Sequence, residues 1–170
     1  TIPDASVSNQ SSYSWSLTSG SGVLSNTSTL SPTYNPLPGE TGFVTISLNA
    51  NGLSNCPSIN DAMQLQIIPL PTSNAGSPAS VCQNSTYTLN GIVTNNSSLT
   101  WSHNGTGGLS SLTNATTTYT PGAGETGNVT FTLTANGNAP CGNVSSSVVL
   151  TVNPPATAVA GTSATICEGS

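Results

Sequence analysis

The sequence predicts an all-β chain built from two consecutive β-sandwich repeats arranged head to tail, with the opening of a third. Three observations carry this. The chain repeats itself with a period near 85 residues, its apolar residues alternate with polar ones, and Gly, Pro and Asn-Gly interrupt it every few residues.

The repeat fixes the organisation. Trp15 and Trp101 sit in Ser-Trp-Ser and Thr-Trp-Ser contexts, and Tyr34 matches Tyr119 with Pro36 and Pro121 two residues on. Glu40-Thr41-Gly42 matches Glu125-Thr126-Gly127, and Ala50-Asn51-Gly52 matches Ala135-Asn136-Gly137. Cys56 matches Cys141, Cys82 matches Cys167, and Ala75-Gly76 matches Ala160-Gly161. The offset is 86 residues at the Trp pair and 85 from the Tyr pair onward, so one residue is gained or lost between them. Unlike residue types recurring in one order are not produced by a shared bias toward Ser and Thr. A period of this size suits one small sandwich. The expected domains are residues 1–70, a repeat without its first strand; residues 71–154, a whole repeat; and residues 155–170, the first strand of a third.

Each repeat reads as strands. Val44, Ile46 and Leu48 alternate with Thr45, Ser47 and Asn49, and Val129, Phe131 and Leu133 with Thr130, Thr132 and Thr134. Met63, Leu65 and Ile67 alternate with Gln64 and Gln66, Val148, Leu150 and Val152 with Val149 and Thr151, and Tyr87 and Leu89 with Thr86 and Thr88. A period of two buries one face of a strand and wets the other. Branching at Cβ suits Val, Ile and Thr to this pleated backbone. Asn51-Gly52, Asn104-Gly105 and Asn136-Gly137 are turn dipeptides, because both residues tolerate positive φ. In the second repeat the predicted strands are 72–81, 85–93, 98–103, 108–120, 127–136 and 144–153.

Trp101 follows Leu89 by 12 residues. That resembles the spacing from a second-strand core position to the core Trp of an immunoglobulin domain, with Leu89 and Leu133 where antibody domains place a disulfide. The expected core therefore comprises Trp15, Trp101, Leu89, Leu133, Phe131, Tyr34 and Tyr119. Each large side chain buried contributes about 1.5–3 kcal/mol.

Composition limits function. The 170 residues include no Lys or Arg, five acids and one His, a net charge of -5. Binding nucleic acid requires cations that displace counterions from phosphates, and attraction to an anionic membrane surface requires them too. Trypsin-like proteases have no site to cut. Hydrophobic residues make up only 34%, as in a disordered stalk, but such a stalk usually carries high net charge, and here the apolar residues fall in ordered alternation. No apolar run is long enough to span a bilayer as a helix, so no membrane insertion is expected.

Four Cys without metal-type spacing fit an oxidising compartment. Cys82 precedes Leu89 by seven residues and Cys141 follows Leu133 by eight, which places them at opposite ends of one sandwich. A disulfide needs Cα atoms within about 7 Å. Cys56, Cys82, Cys141 and Cys167 are therefore expected to form disulfides across repeat junctions. A different local topology allowing a bridge inside one repeat stays open.

Catalytic chemistry is not expected. Glu40 and Glu125 are one acid per repeat in the same Gly-Glu-Thr-Gly turn, which reads as a solvated turn and not a facing acid–base pair. His103 has no acid or strained nucleophile turn beside it and reads as an exposed strand residue, its counterpart being Leu17. Calcium needs six to eight oxygen ligands, which Asp4 or Glu168 alone do not supply. No cofactor and no metal site are expected.

The segment Ala160-Gly161 with Thr165-Ile166-Cys167-Glu168-Gly169-Ser170, its sister Val81-Cys82-Gln83-Asn84-Ser85-Thr86-Tyr87-Thr88-Leu89, then Trp101, Tyr119-Thr120-Pro121 and Thr132-Leu133-Thr134-Ala135-Asn136-Gly137 carry a resemblance. Over essentially the whole chain they resemble the tandem immunoglobulin-like or PKD-like repeats of very large Bacteroidota surface proteins. Gliding-motility adhesins exported by type IX secretion are among these. The PKD run Trp-Asp-Phe-Gly-Asp-Gly is absent. The resemblance implies an extracellular cell-surface filament or adhesin whose repeats act as stalk or binding surface. The implied partners are neighbouring repeats and surface polysaccharide or another cell-surface protein. Two other readings compete: a self-assembling fibre subunit joined by β-strand donation, and a carbohydrate-binding accessory module, which needs an exposed aromatic strip.

Overall fold

The computed structural model describes residues 1–169, which contain β-strands and no helix. The chain forms two compact units: Thr1–Leu70 with Asn138–Gly142, and Pro71–Gly137 with the chain from Asn143 onward.

Unit 1 contains β1 (Gln10–Ser19), β2 (Val23–Ser25), β3 (Thr33–Asn35), β4 (Gly42–Gly52) and β5 (Ile59–Ile67). An antiparallel sheet runs β1-β4-β5, and β2 and β3 form a separate short pair. Trp15 lies opposite Leu48. With Ile2, Tyr34, Val44 and Ile46, Trp15 forms the buried cluster of this unit. β1 slips by one residue between Leu17 and Ser19, which leaves Thr18 as the extra residue of a bulge. The matching stretch of the second unit pairs without that slip. The change of repeat offset from 86 to 85 is this bulge.

Unit 2 contains β6 (Thr72–Asn74), β7 (Ala79–Cys82), β8 (Tyr87–Asn90), β9 (Ile92–Thr94), β10 (Asn96–His103), β11 (Gly108–Leu109), β12 (Thr116–Thr120), β13 (Gly127–Gly137) and β14 (Val144–Asn153). One sheet runs β10-β13-β14-β7; opposite it β11, β12 and β8 pair in order, and β6 pairs with β9. In chain order this is the A-B-E-D and C-F-G arrangement of an immunoglobulin sandwich, with the opening strand shared between the sheets. The fold is therefore all-β and immunoglobulin-like. Its core gathers Leu89, Trp101, Tyr119, Phe131, Leu133 and Leu150.

Several predicted strands prove to be two. The segment 72–81 breaks at Gly76, whose φ is 96°, and Pro78, so that β6 lies along β9 and β7 crosses to run parallel to β14. The segment 85–93 breaks at Gly91, and 108–120 breaks between β11 and β12. Outer strand faces carry hydroxyl ladders where other proteins place charges: Thr132 to Ser147 at 2.9 Å, Thr134 to Ser145 at 2.8 Å and Thr18 to Ser47 at 2.8 Å.

Among the described residues, unit 1 lacks counterparts of β6 and β7, and of β8 and β9 as well. Ile2 donates its backbone N–H to the Pro32 carbonyl and fills the place that Leu89 takes beside Thr117 in unit 2. Residues 155–169 form no strand, and Val159 and Ile166 are 92% and 82% exposed. In unit 2 the matching residues become strands only through β9 and β14 beside them.

Candidate functional site

Each unit holds the same two hydrogen-bonded devices. The first closes the core over the indole. Trp101 donates its ring N–H to the Asn114 carbonyl at 3.1 Å, and Trp15 donates to the Thr29 carbonyl at 2.9 Å. The two rings are 1% and 8% exposed. A buried indole N–H without such an acceptor is costly, so the loop before β3 or β12 is fixed by the ring it covers.

The second device is a clasp between Tyr and Glu. Tyr119 donates its hydroxyl to Glu125 Oε2 at 2.7 Å and accepts the Gly107 N–H at 3.1 Å. Glu125 also accepts the backbone N–H of Thr106 at 2.7 Å and of Gly122 at 2.7 Å. In unit 1 Tyr34 donates to Glu40 Oε1 at 2.8 Å and accepts from Gly22 at 2.8 Å. Glu40 takes the N–H of Ser21 at 2.6 Å and of Leu37 at 3.1 Å. Gly107 is needed here, because a Cβ would stand 2.7 Å from the Tyr119 ring and run into the Thr120 carbonyl. Glu40 and Glu125 are thus not free turn residues: each carboxylate ties the loop entering β2 or β11 to the turn entering β4 or β13.

Hydrogen bonds set the charge of the clasp. At Glu125 burial pushes the carboxyl up, yet the bonds from Tyr119, Gly122 and Thr106 together hold it below its ordinary value. At Glu40 the Ser21 N–H is the strongest influence and also lowers it. Burial, with the Glu125 bond behind it, pushes the Tyr119 hydroxyl up to about 12. Each carboxylate is a fixed acceptor for three donors.

The outer edge of β5 is the third feature. In unit 2 that position is filled: β7 lies parallel on β14, with Leu150 opposite Ala79 and Asn153 opposite Cys82. Val148, Leu150 and Val152 are buried there, whereas their counterparts Met63, Leu65 and Ile67 are only half-buried. The unit 1 sheet ends at β5. A cavity of about 260 Å³ opens among Ile2, Trp15, Leu48, Asp61 and Met63. In unit 2 Ser73 of β6 occupies the matching place and donates to the Leu133 carbonyl or bonds Ser146, each at 2.8 Å.

The other residues singled out from the sequence fall into cores, termini and strand faces. Leu89, Phe131 and Leu133 join Trp101 and Tyr119 in one core, and Tyr34 joins Trp15 in the other. Cys56 and Cys82 are exposed free thiols and Cys141 is a half-buried one, while Cys167 is exposed in the last described residues. The described residues contain no disulfide. Cys82 pairs with Asn153 at one end of β14, and Cys141 lies three residues before Val144 at the other end. The length of that strand, about 3.3 Å per residue, keeps the two apart. His103 is not an exposed strand residue. It alternates in phase with Trp101, is half-buried, and packs its ring 5.2 Å from Tyr119 and 5.6 Å from Phe131. The signal was its Leu17 counterpart, which marks the position as apolar. Of the aromatic side chains only Phe43 is exposed, at 63%, so the described residues show no aromatic strip.

No protein-family model and no curated protein matches the chain. Solved structures do. A three-domain immunoglobulin segment of titin (an E-to-A variant) matches at 15% identity and a TM-score of 0.44, covering 84% of this chain and 55% of that one. A titin immunoglobulin tandem pair matches at 12% identity and 0.32, covering 85% and 82%. An endo-fucoidan hydrolase of glycoside hydrolase family 107 matches at 16% identity and 0.31, covering 85% of this chain and 24% of that one. With each of these TM-scores below 0.5, the immunoglobulin-like character rests on the strand order of unit 2.

Proposed function

We propose that the chain is a structural repeat module of a long extracellular surface filament or adhesin, serving as stalk or binding surface and carrying no catalytic residues. The observation that carries this reading is the return, one period later, of the same indole-to-carbonyl bond and the same Tyr–Glu clasp. Both devices stiffen a sandwich, and neither presents a reactive group to a substrate. A filament gains from repeating one rigid unit, since each copy adds length without new contacts to evolve. Hydroxyl ladders in place of Lys and Arg leave trypsin-like proteases without a site, which suits a fibre exposed to secreted enzymes.

The resemblance to repeats of large Bacteroidota surface adhesins supports a cell-surface location, export by type IX secretion and a role in adhesion or gliding. In that setting the partners are neighbouring repeats and surface polysaccharide or another surface protein. Cys82 and Cys141, kept apart by the length of β14, can there form bridges between successive repeats. Antibodies to the folded chain should label intact cells, and brief digestion with a protease that cuts at apolar residues should remove the label. Labelling only after the cells are permeabilised would overturn this reading.

A further inference from the structure

We infer that the outer face of unit 1 at Phe43 is a binding site for a neutral saccharide, whose ring packs on the Phe43 side chain while its hydroxyls meet the polar groups around it. The inference deepens the reading of the repeats as a binding surface and rests on it.

The difference between the two units exposes the site. With the offset of 85, Phe43 matches Asn128, and its cross-strand partner Gln66 matches Thr151. In unit 2 that pair is closed, because Thr151 donates its hydroxyl to Asn128 Oδ1 at 2.9 Å. In unit 1 the same place carries a phenyl ring that is 63% exposed, beside an exposed amide. Phe43 is out of phase with the buried Val44 and Ile46 and so faces away from the core. β4 is the middle strand of its sheet, so the exposure of Phe43 does not depend on the outer edge of β5.

Phe43 also borders a cavity of about 570 Å³, with Leu37, Glu40, Ser21 and Thr41 around it. Unit 2 keeps a cavity of about 410 Å³ at this place beside its own clasp, lined by Glu125, Thr106, Thr126 and Asn128. The counterpart of Leu37 is Gly122 and that of Phe43 is Asn128, so two apolar walls arise together in unit 1. A lone apolar residue on a surface is ordinary, whereas two that line one recurring cavity mark a site.

The lining selects the ligand. A sugar ring offers an apolar C–H face and a rim of hydroxyls that donate and accept. Phe43 and Leu37 meet the face. The Gln66 amide and the Ser21 and Thr41 hydroxyls can each donate and accept toward the rim. All three side chains are exposed and, among the described residues, have no side-chain hydrogen bond within the chain. Glu40 Oε2 takes the Leu37 N–H at 3.1 Å and has a second lone pair for a sugar hydroxyl. With no Lys or Arg in the chain, a sulfated or uronic sugar finds no counter-charge and meets the Glu40 carboxylate instead, so the ligand is neutral.

NMR of the isotopically labelled chain, titrated in turn with glucose, galactose, mannose, fucose and N-acetylglucosamine, tests this. At least one sugar should move the Phe43 ring and Gln66 amide resonances to saturation and leave those of Asn128 and Thr151 in place. Phe43→Asn installs the residue that unit 2 carries. It should weaken that binding by about tenfold or more, while the Trp15 indole resonance stays put because Phe43 lies outside the buried cluster. Phe43→Tyr should keep the binding, and the sulfate ester of the sugar that binds should bind more weakly. No saturable shift at Phe43 with any of these sugars, equal shifts on both units, or binding untouched by Phe43→Asn would overturn the inference. Cell labelling reads a different property: it can fail with sugar binding intact, and sugar binding can fail with the stalk reading intact.

Discussion

Glu125 illustrates how far a single residue can be read. Its recurrence as Glu40 was visible, but a Gly-Glu-Thr-Gly turn gives no sign that a Tyr six residues earlier reaches back to it. The Tyr and Glu repeated together, and that joint recurrence was the signal for the clasp. Tyr119→Phe removes a hydroxyl that donates to a carboxylate and accepts a backbone N–H inside the protein. It should cost unit 2 about 1–3 kcal/mol, measured by denaturant unfolding followed at the Trp101 indole resonance. The clasp also predicts pH dependence. Glu40 and Glu125 titrate below their ordinary value of 4.5 in the folded chain, so their stabilisation is complete above that pH and is lost as pH falls through the lower folded value. A Glu125→Gln chain should be less stable at neutral pH and lose less stability on acidification to about pH 3. Tyr119 has the opposite sign. Its pKa rises from 10.0 to about 12 on folding, so its contribution holds below pH 10 and is lost as pH climbs toward 12. Alkaline titration of tyrosinate absorbance should show Tyr119 ionising only near pH 12 and together with unfolding. His103 teaches the same lesson as the Glu residues: polarity suggested the surface, while its alternation with Trp101 and its Leu17 counterpart pointed inward.

At the scale of elements, alternation located β4, β5, β13 and β14, because one buried face imposes a period of two, while β1 was marked only by its Trp15. The long strands β4, β13 and β14 fall close to the segments read from the pattern. The breaks were less legible, because they depend on which sheet each half joins. The chain crosses between sheets after β6, and it parts β8 from β9 where the backbone passes close to the core ring. Gly91 marks the second break. A Cβ there would lie 2.7 Å from the Trp101 ring and 2.5 Å from Leu133 Cδ2. Gly91→Ala should therefore destabilise unit 2 by about 1–3 kcal/mol through overpacking, although Ala suits a strand better than Gly elsewhere. Thermal unfolding with the Tyr119→Phe chain alongside would show both changes acting on the same transition. Thr18 is the reverse case. The one-residue change of offset announced an insertion, and only the pairing of β1 with β4 shows that it is absorbed as a bulge and leaves the loop and clasp in register.

For the whole molecule, the period dictates most of the architecture. Two copies of one sequence pattern give two units with the same indole bond, the same clasp and the same strand order wherever the chain supplies the strands. Where it does not supply them, the units differ as strand pairing requires: the edge of β14 is covered and that of β5 is open. The missing first strand of unit 1 was legible in the repeat. The absence of the second strand was not, because Ile2 stands in for Leu89 at an offset the alignment does not reach. Native-state hydrogen exchange of the chain tests this picture most directly. Both indole N–H groups should be protected, as should the amides of β4, β13 and β14, while amides on the outer edge of β5 exchange fast and their β14 counterparts exchange slowly. Equal protection of the β5 and β14 edges, or indole protons exchanging as freely as those of an unfolded chain, would contradict it.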